Sequence, residues 1–249
     1  MFNSLRTFSF LFGYLPFSLR DLRKVQLQKG KLSIKEYDEL VHKQPKKWAH
    51  GILKQTKSTF TVEGLELIAG ETVLFVCNHE GNFDIPSLIA YIPKPFAFMS
   101  KVEVKKLPII KDWMEAMNCV FIDRTNRRSS MRSITDMVST LKAGHSMIIF
   151  PEGTRSKGNE VQEFKSGFVR IAKEAKITIV PIAIAGTSDI MENNQNKIKP
   201  AHVFITVLPT ISIDTIQELS SKELIAHVQQ KIAVEVNHLQ QTKNQMPHL

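Results

Sequence analysis

The strongest constraint on the fold is an alternation of short β-rich runs and amphipathic helical runs that begins near Thr59. Seven runs rich in Val, Ile and Phe predict strands, at Phe60–Glu63, Thr72–Cys77, Phe96–Met99, Cys119–Ile122, Met147–Phe150, Ile177–Ala185 and Val203–Leu208. Helical spacing predicts helices between and after them, at about Ile85–Tyr91, Pro108–Met117, Ser130–Lys142, Gly167–Lys176 and Ser221–Leu239. This alternation predicts an α/β fold, a single domain whose mostly parallel β-sheet is covered by helices on both faces.

The first quarter of the chain differs in composition from the rest. Residues 1–60 contain twelve Lys or Arg and four Asp or Glu, whereas the remainder contains 21 and 20. The stretch Phe8–Leu19 is apolar and aromatic, but it is shorter than the roughly 18–20 residues that span a bilayer. Gly13 and Pro16 are expected to interrupt it. We therefore predict a segment that lies in a membrane interface.

The segment that follows is predicted to be helical as well. Ser33 followed by Glu36 is a capping-box pattern, which predicts that a helix begins there and continues to about Lys43. Pro45 is expected to break or restart this helix, because proline lacks the N–H that a helix interior requires.

These features predict that residues 1–58 form a helical membrane-association segment that precedes a domain of residues 59–249. A polybasic segment attracts either nucleic acid or an anionic membrane surface. The aromatic residues favour the membrane, and no recognition-helix pattern is visible, so we expect no nucleic-acid partner. Two other interpretations stay open. One is a signal peptide, for which no small-residue cleavage site follows, and the other is a helix that packs on the domain's own core.

The two cysteines bear on the compartment. Cys77 and Cys119 both lie in apolar runs, and their spacing matches neither a zinc site nor a disulfide framework. We therefore expect a reducing setting and no bound metal. With the basic N-terminus, this predicts peripheral or monotopic attachment at the cytoplasmic face of the cell membrane.

Groups with chemical potential follow the predicted strands, where ligands bind in parallel α/β folds. The loop after Thr72–Cys77 carries His79 and, five residues on, Asp84 at the start of a helix. A carboxylate at this spacing can accept from one ring nitrogen and leave the other to take a proton. The alternative is a solvent-facing histidine beside a helix-capping aspartate.

A second strand end carries Arg124, which directly follows the predicted strand Cys119–Ile122 and Asp123. Its planar guanidinium is suited to phosphate. It would extend into the region of His79 if the two strands were neighbours. A solvated surface charge is the alternative interpretation.

The third strand end has the densest pattern, since Phe150–Ser156 reads Phe-Pro-Glu-Gly-Thr-Arg-Ser. Gly153 lets the backbone approach a ligand closely, Thr154 offers a hydroxyl, and Arg155 offers a fork for phosphate. Glu152 can hydrogen-bond a hydroxyl or orient an arginine. A plain tight turn would explain the proline and the glycine but not the other residues.

Taken in order, these segments resemble the four sequence blocks of the 1-acyl-glycerol-3-phosphate (lysophosphatidate) acyltransferases of the glycerolipid acyltransferase superfamily. The blocks correspond to Asn78-His79 with Asp84, Phe121–Arg124, Phe150–Ser156 and Val180–Ala183, which together span roughly residues 74–185. The third block is the most specific of the four. Within the first block, Glu80–Phe83 differs from the Ser or aromatic residue that the family more often has, a difference that bears on the acceptor.

The resemblance implies transfer of a fatty acyl group from an acyl thioester, acyl-CoA or acyl-carrier protein, to the sn-2 hydroxyl of 1-acyl-glycerol-3-phosphate (lysophosphatidate), giving phosphatidic acid. His79 would be the general base and Asp84 its partner, within a catalytic domain of residues 59–249. The implied substrate-binding residues are Lys101, Arg124, Glu152, Gly153, Thr154 and Arg155. No cofactor is implied beyond the thioester co-substrate.

Other functions are compatible with the same pattern. The acceptor of the acyl group could be glycerol-3-phosphate or another lysophospholipid. A protein that binds lipid phosphates without catalysis would also carry a basic pocket at these strand ends.

Overall fold

The computed structural model describes residues 2–123, 125–158 and 160–245. The helices are α1 Phe2–Gln28, α2 Ile34–Thr56, α3 Asp84–Tyr91, α4 Ile110–Ala116, α5 Arg127–Lys142, α6 Gly167–Ala175, α7 Ile213–Glu218 and α8 Ser221–Gln245. The strands are β1 Thr59–Glu63, β2 Val73–Cys77, β3 Ala97–Lys101, β4 Val120–Ile122, β5 Met147–Ile149, β6 Thr178–Ala185 and β7 His202–Val207. Short 3-10 helices occur at Leu65–Leu67, Val102–Lys106, Ser188–Ile190 and Glu192–Asn194.

The strands form a seven-stranded sheet in the order β1-β7-β6-β2-β5-β3-β4. All neighbouring strands run parallel except β6 and β7, which are antiparallel. Every residue of β2 is buried, because helices cover the sheet and leave no solvated face to require alternating polar residues. The predicted α/β fold with a mostly parallel, helix-covered sheet is confirmed.

The order of the central strands determines which loops meet. In the register of the sheet, Leu74 of β2 lies opposite Met147 of β5 on one side and Ile179 of β6 on the other. The three strands run in the same direction, so the loops that follow them emerge side by side at one edge of the sheet. We call this the carboxyl edge, and it is where open α/β sheets bind ligands.

β4 does not lie beside β2. It is the last strand of the sheet, three positions from β2, which corresponds to roughly 14 Å at the usual spacing of about 4.8 Å between strands. The interpretation that Arg124 extends beside His79 required the two strands to be neighbours, and the strand order contradicts that condition. Arg124 itself lies outside the described residues.

The two N-terminal helices are longer than the sequence predicts. α1 continues through Gly13 and Pro16, and α2 continues through Pro45 to Thr56, so the predicted interruptions are wrong. An interior proline costs a helix about 3 kcal/mol. In α2 this cost is offset by tertiary packing, because Pro45 is buried together with Val41 and Ala49. The predicted capping box is present, with Ser33 and Glu36 each accepting from the other's backbone N–H.

Both N-terminal helices pack on the rest of the protein. The ring of Phe10 in α1 lies so close to Gly51 in α2 that a Cβ at position 51 would be 2.2 Å from it. Trp113 of α4 donates its indole N–H to Ser18 of α1 over 2.9 Å. The outer side of α1 exposes large apolar residues, namely Leu5, Phe8, Phe12, Phe17 and Leu27. No helix in the described ranges has the length and hydropathy needed to cross a membrane.

Candidate active site

A histidine and an aspartate are in contact at the carboxyl edge. His79 follows β2 and Asp84 is the first residue of α3, so the short loop between them folds the two side chains together. His79 Nδ1 donates to Asp84 Oδ2 over 2.5 Å. The imidazole is 20% exposed, and its Nε2 has no hydrogen-bond partner within the described ranges. This nitrogen is the one that can take a proton from a substrate.

Several donors besides His79 form hydrogen bonds with Asp84. Its side chain is fully buried, and Oδ2 also accepts from the backbone N–H of Glu80 at 2.8 Å and of Gly81 at 3.1 Å. The other oxygen, Oδ1, accepts from the hydroxyl of Thr187, which is itself fully buried after β6. A carboxylate that accepts this many hydrogen bonds keeps a single orientation, so it fixes the tautomer and plane of His79.

His79 is also fixed by the loop that follows β5. Its backbone N–H donates to Glu152 Oε1 over 2.7 Å, and its ring stacks on Phe150 with centroids 4.2 Å apart. The carbonyl of His79 accepts from the backbone N–H of Ser156 at 2.8 Å. The first and third sequence blocks therefore form one rigid unit.

Two buried glutamates support these loops. Glu152 is 2% exposed and accepts from His79 and from the backbone N–H of Gln162, while its burial raises its pKa. Glu80 is equally buried, and its Oε2 accepts from the backbone N–H groups of Gly186 at 2.8 Å and Thr187 at 3.0 Å. Burial and the neighbouring Asp84 raise the pKa of Glu80 to about 7. In their observed positions, both carboxylates organise the backbone of the site.

The loop after β5 places a guanidinium next to the histidine loop. Arg155 is 37% exposed, and its Nη1 donates to the side-chain oxygen of Asn82 and, at 3.3 Å, to Glu192. Gly153 adopts a φ of +70°, and a Cβ at that position would lie 2.7 Å from Lys165 Nζ. Thr154 is exposed between them. The loop thus carries cationic and hydroxyl groups of the kind that bind anions.

Lys101, another of the predicted residues, lies farther along the sheet. Lys101 is the last residue of β3, two strands from β2, and its side chain is exposed. Arg124 lies outside the described residues. The structure therefore brings together His79, Asp84, Glu152 and Arg155. It places Lys101 apart from them, on the strand that pairs with the terminal strand β4.

An apolar cavity of about 370 Å³ adjoins the histidine loop. It lies between the N-terminal helices and the α/β domain, and its lining includes Asn82 of the histidine loop and Ile85 of α3. Its lining also includes Tyr14, Trp48, Ile89, Phe98, Trp113 and Met114. A cavity of this size and composition suits a flexible hydrocarbon chain.

Chemically, this arrangement can remove a proton from a hydroxyl group that belongs to an anionic, partly apolar molecule. In the three described ranges, no three His, Cys, Asp or Glu side chains form a group that could hold a metal ion. A histidine base with a carboxylate partner at the carboxyl edge of an α/β sheet is typical of group-transfer and hydrolytic enzymes.

Comparisons with known proteins identify the family within that class. The sequence model of the acyltransferase family matches residues 59–185, just over half of the 249 residues, and the chain belongs to this family. The chain is similar to the 1-acyl-sn-glycerol-3-phosphate acyltransferase of Cocos nucifera, with 32% identity over 185 residues. It is also similar to the probable 1-acyl-sn-glycerol-3-phosphate acyltransferase of Mycoplasma pneumoniae, with 35% identity over 135 residues.

The same comparisons extend to a solved structure. The crystal structure of the 1-acyl-sn-glycerophosphate acyltransferase PlsC from Thermotoga maritima has a TM-score of 0.82 and 26% identity to this protein, with 96% of each chain covered. The match to the Cocos protein covers 74% of this chain and 58% of the relative, and that to the Mycoplasma protein covers 52% and 50%. The chain therefore spans between about half and three fifths of the length of these curated relatives.

Three buried groups of the site were missed by sequence reasoning. Thr187 contacts Asp84, Glu80 holds the backbone at Thr187, and Glu192 contacts Arg155. Thr187 and Glu192 both follow β6, so the rule that ligands bind beyond strand ends would have pointed to this loop.

Proposed function

We propose that this protein transfers a fatty acyl group from an acyl thioester to the sn-2 hydroxyl of 1-acyl-glycerol-3-phosphate, giving phosphatidic acid. The observation that carries the proposal is the contact between His79 and a fully buried Asp84, in the same loop unit as Arg155. The named activities of the relatives support the choice of lysophosphatidate as acceptor.

In the proposed reaction, His79 Nε2 takes the proton of the sn-2 hydroxyl while that oxygen attacks the thioester carbonyl carbon. The tetrahedral intermediate then breaks its C–S bond, and the leaving sulfur receives the proton from the imidazolium. Asp84 stabilises the imidazolium between these two steps. A positioned general base contributes typically about 10²–10⁴-fold to the rate.

No covalent acyl-enzyme is part of this mechanism. Cys77 lies two residues before His79, but it is completely buried in β2, and burial raises the pKa of its thiol well above the usual range. A thiol in this state is a poor nucleophile because the thiolate is the reactive form.

Arg155 is the proposed ligand for the acceptor's phosphate, together with Gly153 and Thr154 in the same loop. Lys101 and Arg124 are further contributors that only the family resemblance predicts. A guanidinium binds phosphate through a planar fork of N–H donors. Glu152 would act on the acceptor indirectly, because both of its oxygens are engaged with backbone N–H groups in the structure.

The apolar cavity is the proposed site for an acyl chain, and the acyl donor is proposed to be acyl-CoA or acyl-carrier protein, with no further cofactor. Asn82 of the histidine loop and Ile85 line the cavity, so an acyl chain in it would place its polar end toward His79. The residues that line the cavity would then set the preferred chain length.

We further propose that α1, within an N-terminal segment of residues 1–58, docks the catalytic domain of residues 59–249 on the cytoplasmic face of a membrane. The exposed side of α1 carries Phe12 and Phe17, and Arg20, Arg23 and Lys24 are exposed further along the same helix. Apolar insertion combined with cationic contacts is how interfacial helices bind anionic lipids.

Changing both Phe12 and Phe17 to glutamate in the intact protein tests this docking. The variant should lose binding to vesicles that contain anionic lipid, and binding by the unaltered protein should weaken as salt increases. Val234→Glu is the control, because Val234 on α8 is also a largely exposed apolar residue. Equal losses in the two variants would contradict docking through α1.

The central test of the proposed function is product identification. The purified protein is offered a mixture of acyl-CoA and acyl-carrier-protein thioesters together with lysophosphatidate, glycerol-3-phosphate and other lysophospholipids, and the lipids formed are identified by mass spectrometry. Phosphatidic acid should be the main product. A different acylated product would reassign the acceptor, and binding of lysophosphatidate without any transfer would show that the enzymatic proposal is wrong.

A further inference from the structure

A carboxylate on the segment after β6 contacts the other two loops of the site. Glu192 lies in the 3-10 helix Glu192–Asn194, and its Oε1 accepts from the backbone N–H of Asn82 at 2.8 Å. The same oxygen accepts from Arg155 Nη1 at 3.3 Å, while Nη1 also donates to the side-chain oxygen of Asn82. Glu192, Asn82 and Arg155 thus form a closed triangle of contacts that joins three separate loops.

The carboxylate of Glu192 is buried, although one of its oxygens lacks a partner. The side chain is 6% exposed, and Oε2 has no hydrogen-bond partner within the described ranges. A Cβ at Gly81 would lie 2.8 Å from Oε2, so the glycine at position 81 leaves the space that the carboxylate occupies. A buried carboxylate oxygen without a donor destabilises a fold. Packing alone therefore does not account for a glutamate here.

The backbone that carries Glu192 is anchored on both sides. Asp189, three residues earlier, forms a 2.7 Å ion pair with Lys243 of α8 and accepts from the amide of Asn193 at 2.8 Å. The backbone N–H of Lys199 donates to the carbonyl of Ile190 at 2.9 Å. Because its support is fixed, Glu192 can fix the position of the guanidinium that it contacts.

We propose that Glu192 is a positioning residue for the acceptor, which holds the Arg155 guanidinium at the phosphate end of the site and ties it to the His79 loop through Asn82. The inference rests on the proposed function, in which Arg155 binds the phosphate of lysophosphatidate. An arginine that is already held in place loses less rotamer freedom when the phosphate binds, so the acceptor binds more tightly.

The negative charge of Glu192 acts on acceptor binding in the opposite direction, so the KM for the acceptor distinguishes the two effects. A carboxylate beside a phosphate site repels the ligand and competes for the guanidinium. If repulsion dominated, removing Glu192 would lower the KM for the acceptor, whereas loss of positioning would raise it.

The test is a set of steady-state measurements on the full chain, with KM for lysophosphatidate, KM for the thioester and kcat determined separately. Glu192→Ala should raise the acceptor KM by about tenfold, with kcat and the thioester KM within about twofold of their original values, since uniform binding is lost. Glu192→Gln keeps an oxygen for Asn82 and Arg155, so it should raise the acceptor KM by only about twofold to threefold. Glu174→Gln, which removes an exposed carboxylate paired with Arg170, is the matched control and should change none of the three constants.

A double-mutant cycle with Arg155→Ala separates the inference from the proposed function. Arg155→Ala alone should raise the acceptor KM, and adding Glu192→Ala should then have little further effect, because Glu192 acts through Arg155. An undiminished effect of Glu192→Ala in the Arg155→Ala background, or a lower acceptor KM in either Glu192 variant, would overturn the positioning role while leaving the phosphate role of Arg155 intact. An unchanged KM in Arg155→Ala would overturn the phosphate role and the inference together.

Discussion

Two histidine–aspartate pairs lie at opposite edges of the sheet, and their surroundings differ. At the carboxyl edge, His79 Nδ1 lies 2.5 Å from Asp84 Oδ2. At the other edge, His145 precedes β5, and its Nδ1 lies 2.9 and 3.0 Å from the two carboxylate oxygens of Asp38 in α2. By this contact alone the two pairs would be equivalent.

The two pairs differ in the burial of each aspartate and in the number of donors that contact its carboxylate. Asp84 is fully buried and accepts from two backbone N–H groups and from Thr187 in addition to His79. The Asp38 side chain is 13% exposed, and within the described ranges only His145 donates to its carboxylate. The comparison teaches that two such pairs differ in the groups that fix the carboxylate and in the strand-end loops around it, and not in the histidine–aspartate contact itself.

The largest expected effect comes from changing each histidine to alanine. His79→Ala should lower thioester-dependent acyl transfer by about 10²–10⁴-fold, the typical contribution of a general base. His145→Ala should leave the rate within about twofold, because this residue is remote from the carboxyl edge. Transfer rates of the two purified variants measure this directly. A comparable loss in His145→Ala would break the distinction between the two pairs.

The aspartates should differ nearly as much. Asp84→Asn should lower kcat by about 10²-fold or more, since an amide in place of the carboxylate can favour the wrong tautomer of His79 and stabilises its protonated form less. Asp38→Asn should affect thermal stability and leave kcat close to its original value. Circular dichroism of both variants checks that they are folded. An active Asp84→Asn enzyme would remove the proposed partner of the base.

Thr187 allows a finer test of the hydrogen bonds that fix Asp84. Thr187→Val keeps the shape of the side chain but removes the hydroxyl that donates to Asp84 Oδ1. The loss should cost roughly 1–3 kcal/mol in the free energy of unfolding, because a buried acceptor is left without a donor. We also expect kcat to fall by about tenfold, a range typical of lost supporting hydrogen bonds. Thr187→Ser should restore both quantities, and a failure of this rescue would indicate a steric role instead.

The last prediction concerns the pH dependence of stability and not the rate of the reaction. The folded protein holds Glu80 with its pKa raised from 4.5 to about 7, so between these pH values the folded state binds a proton that the unfolded state releases. The stabilisation is therefore fully present below about pH 4.5 and is lost as pH rises through about 7. At 1.36 kcal/mol per pKa unit, the free energy of unfolding should fall by roughly 2–3 kcal/mol across this window relative to Glu80→Gln.

Urea denaturation of both proteins between pH 5 and pH 8 measures this difference. The exposed Glu163, changed to Gln, serves as the control for removal of a surface carboxylate. Parallel pH curves for the original protein and Glu80→Gln would show that Glu80 does not hold a proton in the folded state.

Much of the fold was predictable because it depends on local patterns. The apolar runs predicted all seven strands to within a few residues, and the strand–helix alternation predicted the sheet class. The predictions failed at Pro16 and Pro45, where the sequence argued for helix breaks. Local propensity indicated a break at Pro45, but burial of that side chain in the interior stabilised a continuous helix.

The site was predictable only in part. His79, Asp84 and the Glu152–Arg155 loop could be proposed from strand-end positions and from the family resemblance, and their roles stay predictions. The positions of Lys101 and of the strand before Arg124 depend on strand order, which no local pattern specifies. Glu80, Thr187 and Glu192 act through contacts between residues far apart in the chain. The strand-end rule points to the loop after β6, but single-sequence reasoning has no signal for the individual contacts.

By itself, the sequence determined the alternation of elements, the basic and aromatic character of the N-terminus, and the residue types at three strand ends, because these properties depend on spacing and composition. The tertiary structure decided which strand ends meet, how Asp84 is buried beneath His79, and that Glu192 reaches Arg155. The physical reason is that burial and hydrogen-bond geometry arise only when distant segments pack against each other, and these two factors convert a common histidine–aspartate spacing into a site with one fixed orientation.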